Sequence, residues 1–288
     1  MSLAPSIVLV KGAGDIGTGV AHRLHRCGFR VVCTEAAQPT VIRRAVAFAS
    51  AVYAQSVLVD GITAELLPLG DRLIERMRAL HERNIVAVIV DPSARSAGLL
   101  NPIAMVDAVL AKRNTGTQRA DARVVIACGP GFTAGIDCHA VVETQRGHDL
   151  GRVLYTGGAQ PNTGVPGEVG GTSAKRVMRA PCDGLFMGVR EIGDWVTEGD
   201  VIARVESNDH RSTEVHATLT GMLRGILHTG LQVRAGMKIA DIDPRTGQRY
   251  CFSISDKALA IGGGVVEALM HLLKPTIGVR PIQARTHS

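Results

Sequence analysis

The sequence predicts an α/β protein: a doubly wound, mostly parallel sheet, then a small all-β unit, then a C-terminal helix. Three observations carry that expectation. Apolar, β-branched runs alternate with segments of helical periodicity through the first half of the chain, as in a parallel sheet covered on both faces. A glycine loop, Gly12-Ala13-Gly14-Asp15-Ile16-Gly17, joins the first strand to the first helix. A gapless two-copy repeat follows residue 180, the mark of one supersecondary unit used twice.

In chain order, Ile7–Val10 reads as a strand and Thr18–Cys27 as a helix, with Val20, Ala21 and Leu24 at helical spacing. Val31–Thr34 is a second strand, Val41–Ala51 is helical, and Val57–Val59 is strand-like. Asp71–Asn84 is an amphipathic helix with Leu73, Ile74, Met77 and Leu80 on one face. Ile85–Val90 is continuously apolar, as expected of a strand buried on both faces. Asp107–Lys112 and Arg123–Cys128 are read as further strands. The stretch 157–173 is rich in glycine and proline, so it marks a boundary or an ordered loop that brings Gln160, Asn162 and Thr163 over a crevice. Ala180–Glu206 and Ala217–Asp243 then align without a gap: Gly184 with Gly221, Gly188 with Gly225, Val196 with Val233, Ile202 with Ile239. Neither copy buries its apolar face alone, so the pair should close into a small barrel or sandwich. The triple glycine Gly262–Gly264 leads into an apolar helix and marks either an anion site at a helix start or a close packing point. The expected organisation is 1–156, a Rossmann-like binding domain; 157–175, a linker or crevice loop; 176–250, the two-copy β domain; and 251–288, the glycine-rich turn, helix and tail.

Composition narrows the function. Apolar residues make up 45% of the 288, and no run reaches the ~18 residues of a membrane span. The opening MSLAPSIVLV lacks a basic segment before a signal-length apolar stretch, so no secretory signal is expected. Six scattered cysteines form no C-x-x-C pair, against a disulfide framework or a zinc ribbon. No metal site is expected, and a reducing cytoplasm is the simplest compartment. The net charge of +6 is spread out and aromatics are 3%, which speaks against nucleic-acid binding. It suits a pocket for a small anionic ligand. Homo-oligomerisation stays open.

Candidate site residues gather after the strands, where ligands of doubly wound sheets bind. Gly12, Gly14 and Gly17 stand where a tight turn and close phosphate approach require them, and Glu35, at the end of the second strand, is placed to hold a ribose hydroxyl. Asp15 would repel a pyrophosphate unless it points away. Lys112, Arg113 and Asn114 follow another strand and could neutralise a phosphate. A second loop carries Gly129, Gly131, Thr133, Gly135, Asp137, Cys138 and His139, with Glu143, Arg146 and His148 beyond. Cys138 is the one candidate nucleophile, although it and His139 point to opposite faces if they lie on a strand.

The two-copy repeat resembles the biotinyl/lipoyl-type hammerhead domain, a barrel-sandwich hybrid. Its carrier members hold a modified lysine at the hairpin joining the halves. Here that segment, SNDHRSTEVH, has no lysine, so the domain is read as a scaffold or docking surface. The blocks KGAGDIGTGVAHRL, QPTVIRRAVAFASAVY, DAVLAKRNTGT, ACGPGFTAGIDCHAVVETQRGH, LYTGGAQPNTGVPG and SDKALAIGGGVVEAL resemble accessory proteins of the selenium-dependent molybdenum hydroxylase system. The first half resembles, more distantly, xanthine dehydrogenase maturation factors. The resemblance implies an accessory or maturation protein that serves a molybdenum hydroxylase client and binds molybdenum cofactor or a nucleotide between the two glycine loops. It assigns no catalytic residue. Two other readings stay open: an NAD(P)-dependent oxidoreductase using the first loop and Glu35, and a non-catalytic assembly module.

Overall fold

The computed structural model describes residues 7–162, 174–207, 209 and 211–277. Nine strands form the main sheet: β1 (Ile7–Lys11), β2 (Arg30–Glu35), β3 (Ser56–Val59), β4 (Ile62–Leu67), β5 (Val86–Val90), β6 (Ala104–Asp107), β7 (Val124–Cys128), β8 (Ala140–Val142) and β9 (Val153–Leu154). Their order is β3-β4-β5-β2-β1-β6-β7-β8-β9. The seven from β4 to β8 pair in parallel, and only the edge pairs β3–β4 and β8–β9 are antiparallel. From β1 the chain moves first to β2 on one side and later to β6 on the other. The order therefore reverses at the β1–β6 seam, where Lys11 pairs with Asp107.

Both faces of the sheet are covered, which explains why β5 and β7 are apolar throughout and β1 is apolar up to its last residue, Lys11. On one face Val8, Val10, Val31, Cys33, Val88, Val106 and Ile126 pack under two helices, α1 (Asp15–Arg26) and the C-terminal one. On the other, Leu9, Val32, Ile89, Met105 and Val125 meet Leu73, Met77 and Leu80. Those three leucine and methionine side chains belong to Leu73–Glu82, which is α3 after the short α2 (Ala51–Ala54). A further single turn, α4 (Ala97–Leu100), adds Leu100 to this face.

Two local expectations are corrected, and short strands went unread. The region 41–51 is not one helix but two 3-10 turns, Arg44–Val46 and Phe48–Ser50, running into α2. The sixth strand is Ala104–Asp107, and residues 108–117 form a loop rather than a strand over Asp107–Lys112. Asp107 and Lys11 pair off at the strand ends, and the chain turns away there. β4 and β8 went unread because ITAELL and AVV are short and lack a clear period.

Residues 174–243 build two four-stranded antiparallel sheets. Their strands are β10 (Val177–Arg179), β11 (Gly184–Gly188), β12 (Trp195–Val196), β13 (Val201–Glu206), β14 (Ser212–His216), β15 (Gly221–Ile226), β16 (Gln232–Val233) and β17 (Lys238–Asp243). One sheet is β10-β17-β15-β12 and the other β14-β13-β11-β16. Each sheet takes two strands from each half, β10–β13 and β14–β17, and exchanging the halves turns one sheet into the other. The aligned glycines do the same job in both. A Cβ at Gly184 would stand 2.2 Å from the Glu206 carbonyl oxygen, and one at Gly221 would stand 2.5 Å from that of Asp243. Phe186, Val205, Leu223 and Ile242 share the core between the sheets.

This unit leans on the main sheet through residues 42–44. Ile226 donates its N–H to the Ile42 carbonyl at 2.8 Å, Arg44 Nε donates to Ile226 O at 2.7 Å, and Tyr53 stacks on His228 with centroids 3.9 Å apart. After a short turn of helix, α5 (Arg249–Phe252), the chain returns to the main sheet as α6 (Asp256–Ile277).

The triple glycine lies inside α6, not at its start, so the helix-start anion site is set aside in favour of packing. A Cβ at Gly262 would meet the Gly19 carbonyl oxygen at 2.7 Å, and one at Gly264 would meet that of Gly151 at 2.2 Å; Gly263 faces open space. Gly262→Ala and Gly264→Ala should each destabilise the fold by about 1–3 kcal/mol through overpacking. Gly263→Ala should stabilise it by about 0.5–1 kcal/mol through helix propensity. Urea unfolding of the three variants checks this; a Gly262→Ala chain more stable than the parent contradicts the packing.

Candidate functional site: a cationic crevice at the strand carboxyl ends

The seam between β1 and β6 is closed by buried charge. Lys11 and Asp107 are 3% and 1% exposed, and Lys11 Nζ lies 3.5 Å from Asp107 Oδ2. Lys11 also donates to the hydroxyls of Thr117 (2.9 Å) and Thr115 (3.2 Å), and Thr117 Oγ1 donates to Asp107 at 2.5 Å. Buried charges persist only when paired and hydrogen-bonded. This knot fastens the 108–117 loop back onto the strands it leaves. Asn114 completes the closure: its Oδ1 accepts from Gly116 and Thr117 N–H at 2.8 Å each, and its Nδ2 donates to Thr117 O.

The glycine loops grip this loop from both sides. At Gly12 (φ +95°) a Cβ would sit 2.9 Å from the Val109 backbone, and at Gly131 (φ +102°) one would sit 2.5 Å from Arg113 Cα. At Gly17 a Cβ would fall on the Gly12 carbonyl oxygen. The squeezed loop holds Leu110 and Lys112 at φ +59° and +62°, the left-handed region, which costs non-glycine residues about 1–2 kcal/mol each. Gly14 and Gly135 are free of such contacts; the nearest neighbour of a Cβ at Gly14 is Val41, at 3.9 Å, and a Cβ at Gly135 would meet nothing within 4 Å.

The crevice beside this arrangement has a volume of about 530 Å³. Asp15 and Ile16 at the start of α1, Leu110 and Lys112, Pro130, the turn Thr144–Arg146, Gln160, Asn162 and Lys257 line it. Three cations thus face one carboxylate. Arg146 is held by Asp256 through two hydrogen bonds of 2.9 and 3.1 Å, and that guanidinium lowers the Asp256 carboxyl to about 2. Burial, then the neighbouring Arg146 charge, lowers the pKa of Lys257. Asp15 Oδ2 stands 3.9 Å from Arg43 Nη1. A larger hollow of about 660 Å³ opens at the opposite edge, by Ile7, Asn101 and Asp121. It gathers no cluster of cations and lies away from the strand carboxyl ends, where ligands of such sheets bind.

Several sequence candidates turn out to serve the loops themselves. Glu35 accepts the N–H groups of Ala13 (2.9 Å) and Ala36 (2.8 Å), so its carboxylate braces the first glycine loop instead of facing a ribose. Asp137 accepts from Thr133 N at 2.7 Å, and Gly135 N–H donates to the Cys138 carbonyl. With Ala134 N–H donating to the Gly157 carbonyl and the Ile136 and Asp137 N–H groups to Thr133 O, the amides of Thr133–Asp137 are all taken and are not offered to the crevice. Gly129 packs on Thr144, 2.7 Å from a Cβ to Oγ1. His139 accepts the Val125 N–H on Nδ1 at 3.0 Å, and burial, with Arg119 nearby, lowers its pKa. Cys138 is fully buried in the core below the sheet, and burial first, then Asp137, pushes its thiol up to about 11. That is the wrong direction for a nucleophile. Glu143 accepts three backbone N–H groups, from Thr144, Gln145 and Gln160, at 2.7 Å each, and so anchors the crevice wall. Asp15 and Lys112 do line the crevice, as do Gln160 and Asn162; Thr163 lies outside the described residues. Lys257 was not singled out in the sequence, since nothing local links a lysine in the last helix to strands more than a hundred residues earlier. Among the described residues no group of three His, Cys, Asp or Glu side chains is placed to hold a metal ion, and no helix is long and apolar enough to cross a membrane.

Comparisons with known proteins give a limited picture. No family model matches the chain. It is 52% identical over 267 residues to the uncharacterized protein YqeB of Escherichia coli, matching 93% of this chain and 48% of YqeB, so it spans about half the length of that relative. Similar solved structures include the ectoine utilization protein EutE (DoeB) of Ruegeria pomeroyi with product bound (13% identity, TM-score 0.26, covering 83% of this chain and 85% of that one). An aspartoacylase family protein of Mesorhizobium loti is similar too (14%, 0.27, 84% and 86%), as is a succinylglutamate desuccinylase/aspartoacylase of Rhodobacter sphaeroides (13%, 0.26, 83% and 85%). These findings correct the expected membership in the selenium-dependent molybdenum hydroxylase accessory family and the maturation role drawn from it. No family model matches the chain, a model of that family included. The dinucleotide oxidoreductase alternative falls with the turned-in Glu35. Similarity this slight assigns no activity to the chain.

Two results should follow from this geometry. Asp107→Ala leaves the Lys11 ammonium buried without its counter-charge and should cost about 3–5 kcal/mol in urea unfolding. The double variant Lys11→Met, Asp107→Leu should recover part of that loss, because an apolar pair needs no desolvation. Alkylation of the folded chain by iodoacetamide at pH 8 should modify the exposed Cys27 and leave Cys138 intact; labelling of Cys138 at a similar rate, read by peptide mass spectrometry, contradicts its burial.

Proposed function

We propose that this chain binds a small, multiply charged anion in the crevice at the β1–β6 seam. The observation that carries the reading is the convergence of Lys112, Arg146 and Lys257, from three distant parts of the sequence, on one cavity with a single carboxylate, Asp15. Ile16, Leu110 and Pro130 supply apolar wall, and Gln160 and Asn162 supply amide groups that orient a ligand. The α1 N-terminus adds its partial positive charge on the same side. On this reading the main sheet with α6 is a Rossmann-like binding domain. The two four-stranded sheets are a hammerhead-like barrel that acts as a scaffold, holding residues 42–44 and, through Arg43, the start of α1. Phosphate-bearing metabolites, nucleotides among them, and di- or tricarboxylates suit the charge. The Glu35 arrangement disfavours a ligand that depends on ribose contact at β2.

Thermal melting with inorganic pyrophosphate, citrate and ATP tests the proposal. At least one should raise the melting temperature of the parent chain. Lys112→Ala and Arg146→Ala should each weaken that ligand by about tenfold, the loss expected for one charged hydrogen bond, and more steeply at low ionic strength. No stabilisation by any of the three, or binding unchanged in both variants, overturns it.

A further inference from the structure

Lys257 differs from the other two cations of the crevice. Arg146 is tied bidentately to Asp256, and Lys112 is exposed to solvent. Lys257, the second residue of α6, is only partly exposed and lines the cavity, yet its ammonium makes no hydrogen bond or ion pair among the described residues. An ammonium carries three N–H donors that seek acceptors, and here none is provided. The nearby charges are mixed: Arg146 repels a proton on this amine, while Asp15, Glu143 and Asp256 favour one. Desolvation outweighs them all and keeps the amine less basic than an ordinary lysine. Loss of water and a neighbouring cation both favour the neutral amine, the form that attacks a carbonyl carbon.

We propose that the ε-amine of Lys257 condenses with the carbonyl carbon of a small anionic carbonyl compound held in this crevice. The inference rests on the reading that the crevice takes an anion, and it adds what that anion must carry: an aldehyde or ketone close to its carboxylate or phosphate. The nitrogen lone pair forms the C–N bond as the C=O π pair moves to oxygen. That oxygen gains a proton and the nitrogen loses one. The hydroxyl takes up a further proton and leaves as water while the nitrogen lone pair closes the C=N bond, and loss of the remaining N–H proton gives the imine. One water is released and nothing is oxidised or reduced. Asp15 is the one carboxylate among the residues lining the cavity, and the proton transfers are assigned to it. Glu143 does not serve, because its oxygens are taken by three backbone amides.

The test is reductive trapping on the full chain. Pyruvate (a carboxylate), glyceraldehyde 3-phosphate (a phosphate) and acetone (neutral) are each incubated with the protein and sodium cyanoborohydride at pH 7.5 (roughly neutral, where an ordinary lysine is protonated), and adducts are mapped by peptide mass spectrometry. One anionic carbonyl should label Lys257 at least about tenfold faster than any of the other five lysines, a preference worth about 1.4 kcal/mol. Which one does so tells carboxylate from phosphate. Acetone should show no such preference. Lys257→Arg, checked for folding by circular dichroism, should remove the fast adduct. Labelling spread over the lysines according to exposure, equal preference with acetone, or fast labelling that survives Lys257→Arg each overturns the proposal. If pyrophosphate, citrate or ATP stabilises the parent chain but neither anionic carbonyl labels Lys257, the nucleophile fails and the anion site stands. If none stabilises and no adduct forms, both fail.

Discussion

The crevice depends on one buried ion pair. Lys11 and Asp107 are register partners on β1 and β6, the two strands between which the sheet order reverses. Two unlike charges at adjacent strand ends would be costly to bury alone. Thr115 and Thr117 supply the missing hydrogen bonds and, in doing so, fold the 108–117 loop back over the pair. The position of that loop sets that of Lys112 and of everything stacked against it. A site at the reversal of strand order has a general physical reason: helices diverge to opposite faces there and leave a gap.

The glycine loops contribute by contact distance more than by hydrogen bonding. Gly12 and Gly131 let the 108–113 backbone pass within van der Waals reach on either side. The backbone amides that a phosphate would use are partly spent inside the protein: Gly12 N–H on Thr34, Ala13 N–H on Glu35, Ala134 N–H on Gly157, and those of Thr133, Gly135, Ile136 and Asp137 within the 133–138 turn. Positive charge therefore reaches the crevice from side chains. Two of the three come from elements remote from the loops, the turn after β8 and the first turn of α6.

The same logic joins the barrel to the sheet. Arg43 is 6% exposed and donates to the carbonyls of Tyr250 and Ser253 while lying near Asp15. Arg224, on β15, shares the Tyr250 carbonyl and faces Asp241 and Asp243; burial and the neighbouring Arg43 lower its pKa to about 10. Arg176 closes the group with a bidentate contact to Asp241. A chain of buried, mostly paired charges thus runs from the barrel core to the start of α1, and ties the rim of the crevice to a unit that contributes no lining residue of its own.

The sequence by itself determined the layers. Continuous apolar runs such as Val124–Cys128 are stable only where both faces are covered, and the gapless glycine register of Ala180–Asp243 is stable only as two exchanged halves, so both were legible from local pattern. Short strands with no period, ITAELL and AVV, were not. Neither was the end of β6, where buried charge rather than residue propensity stops the strand. The candidate site was legible only in its glycines, Asp15, Lys112 and Arg146, and Gln160 and Asn162 were legible as crevice-loop donors. Tertiary structure alone decided which carboxylates face inward as braces, Glu35 and Glu143, and which cations meet across the cavity. Glu35 looks the same in sequence whether it accepts a ribose hydroxyl or the Ala13 amide. Lys257 joins Lys112 only because Gly262 and Gly264 let α6 lie against Gly19 and Gly151, a contact between residues far apart in the chain that no local pattern encodes.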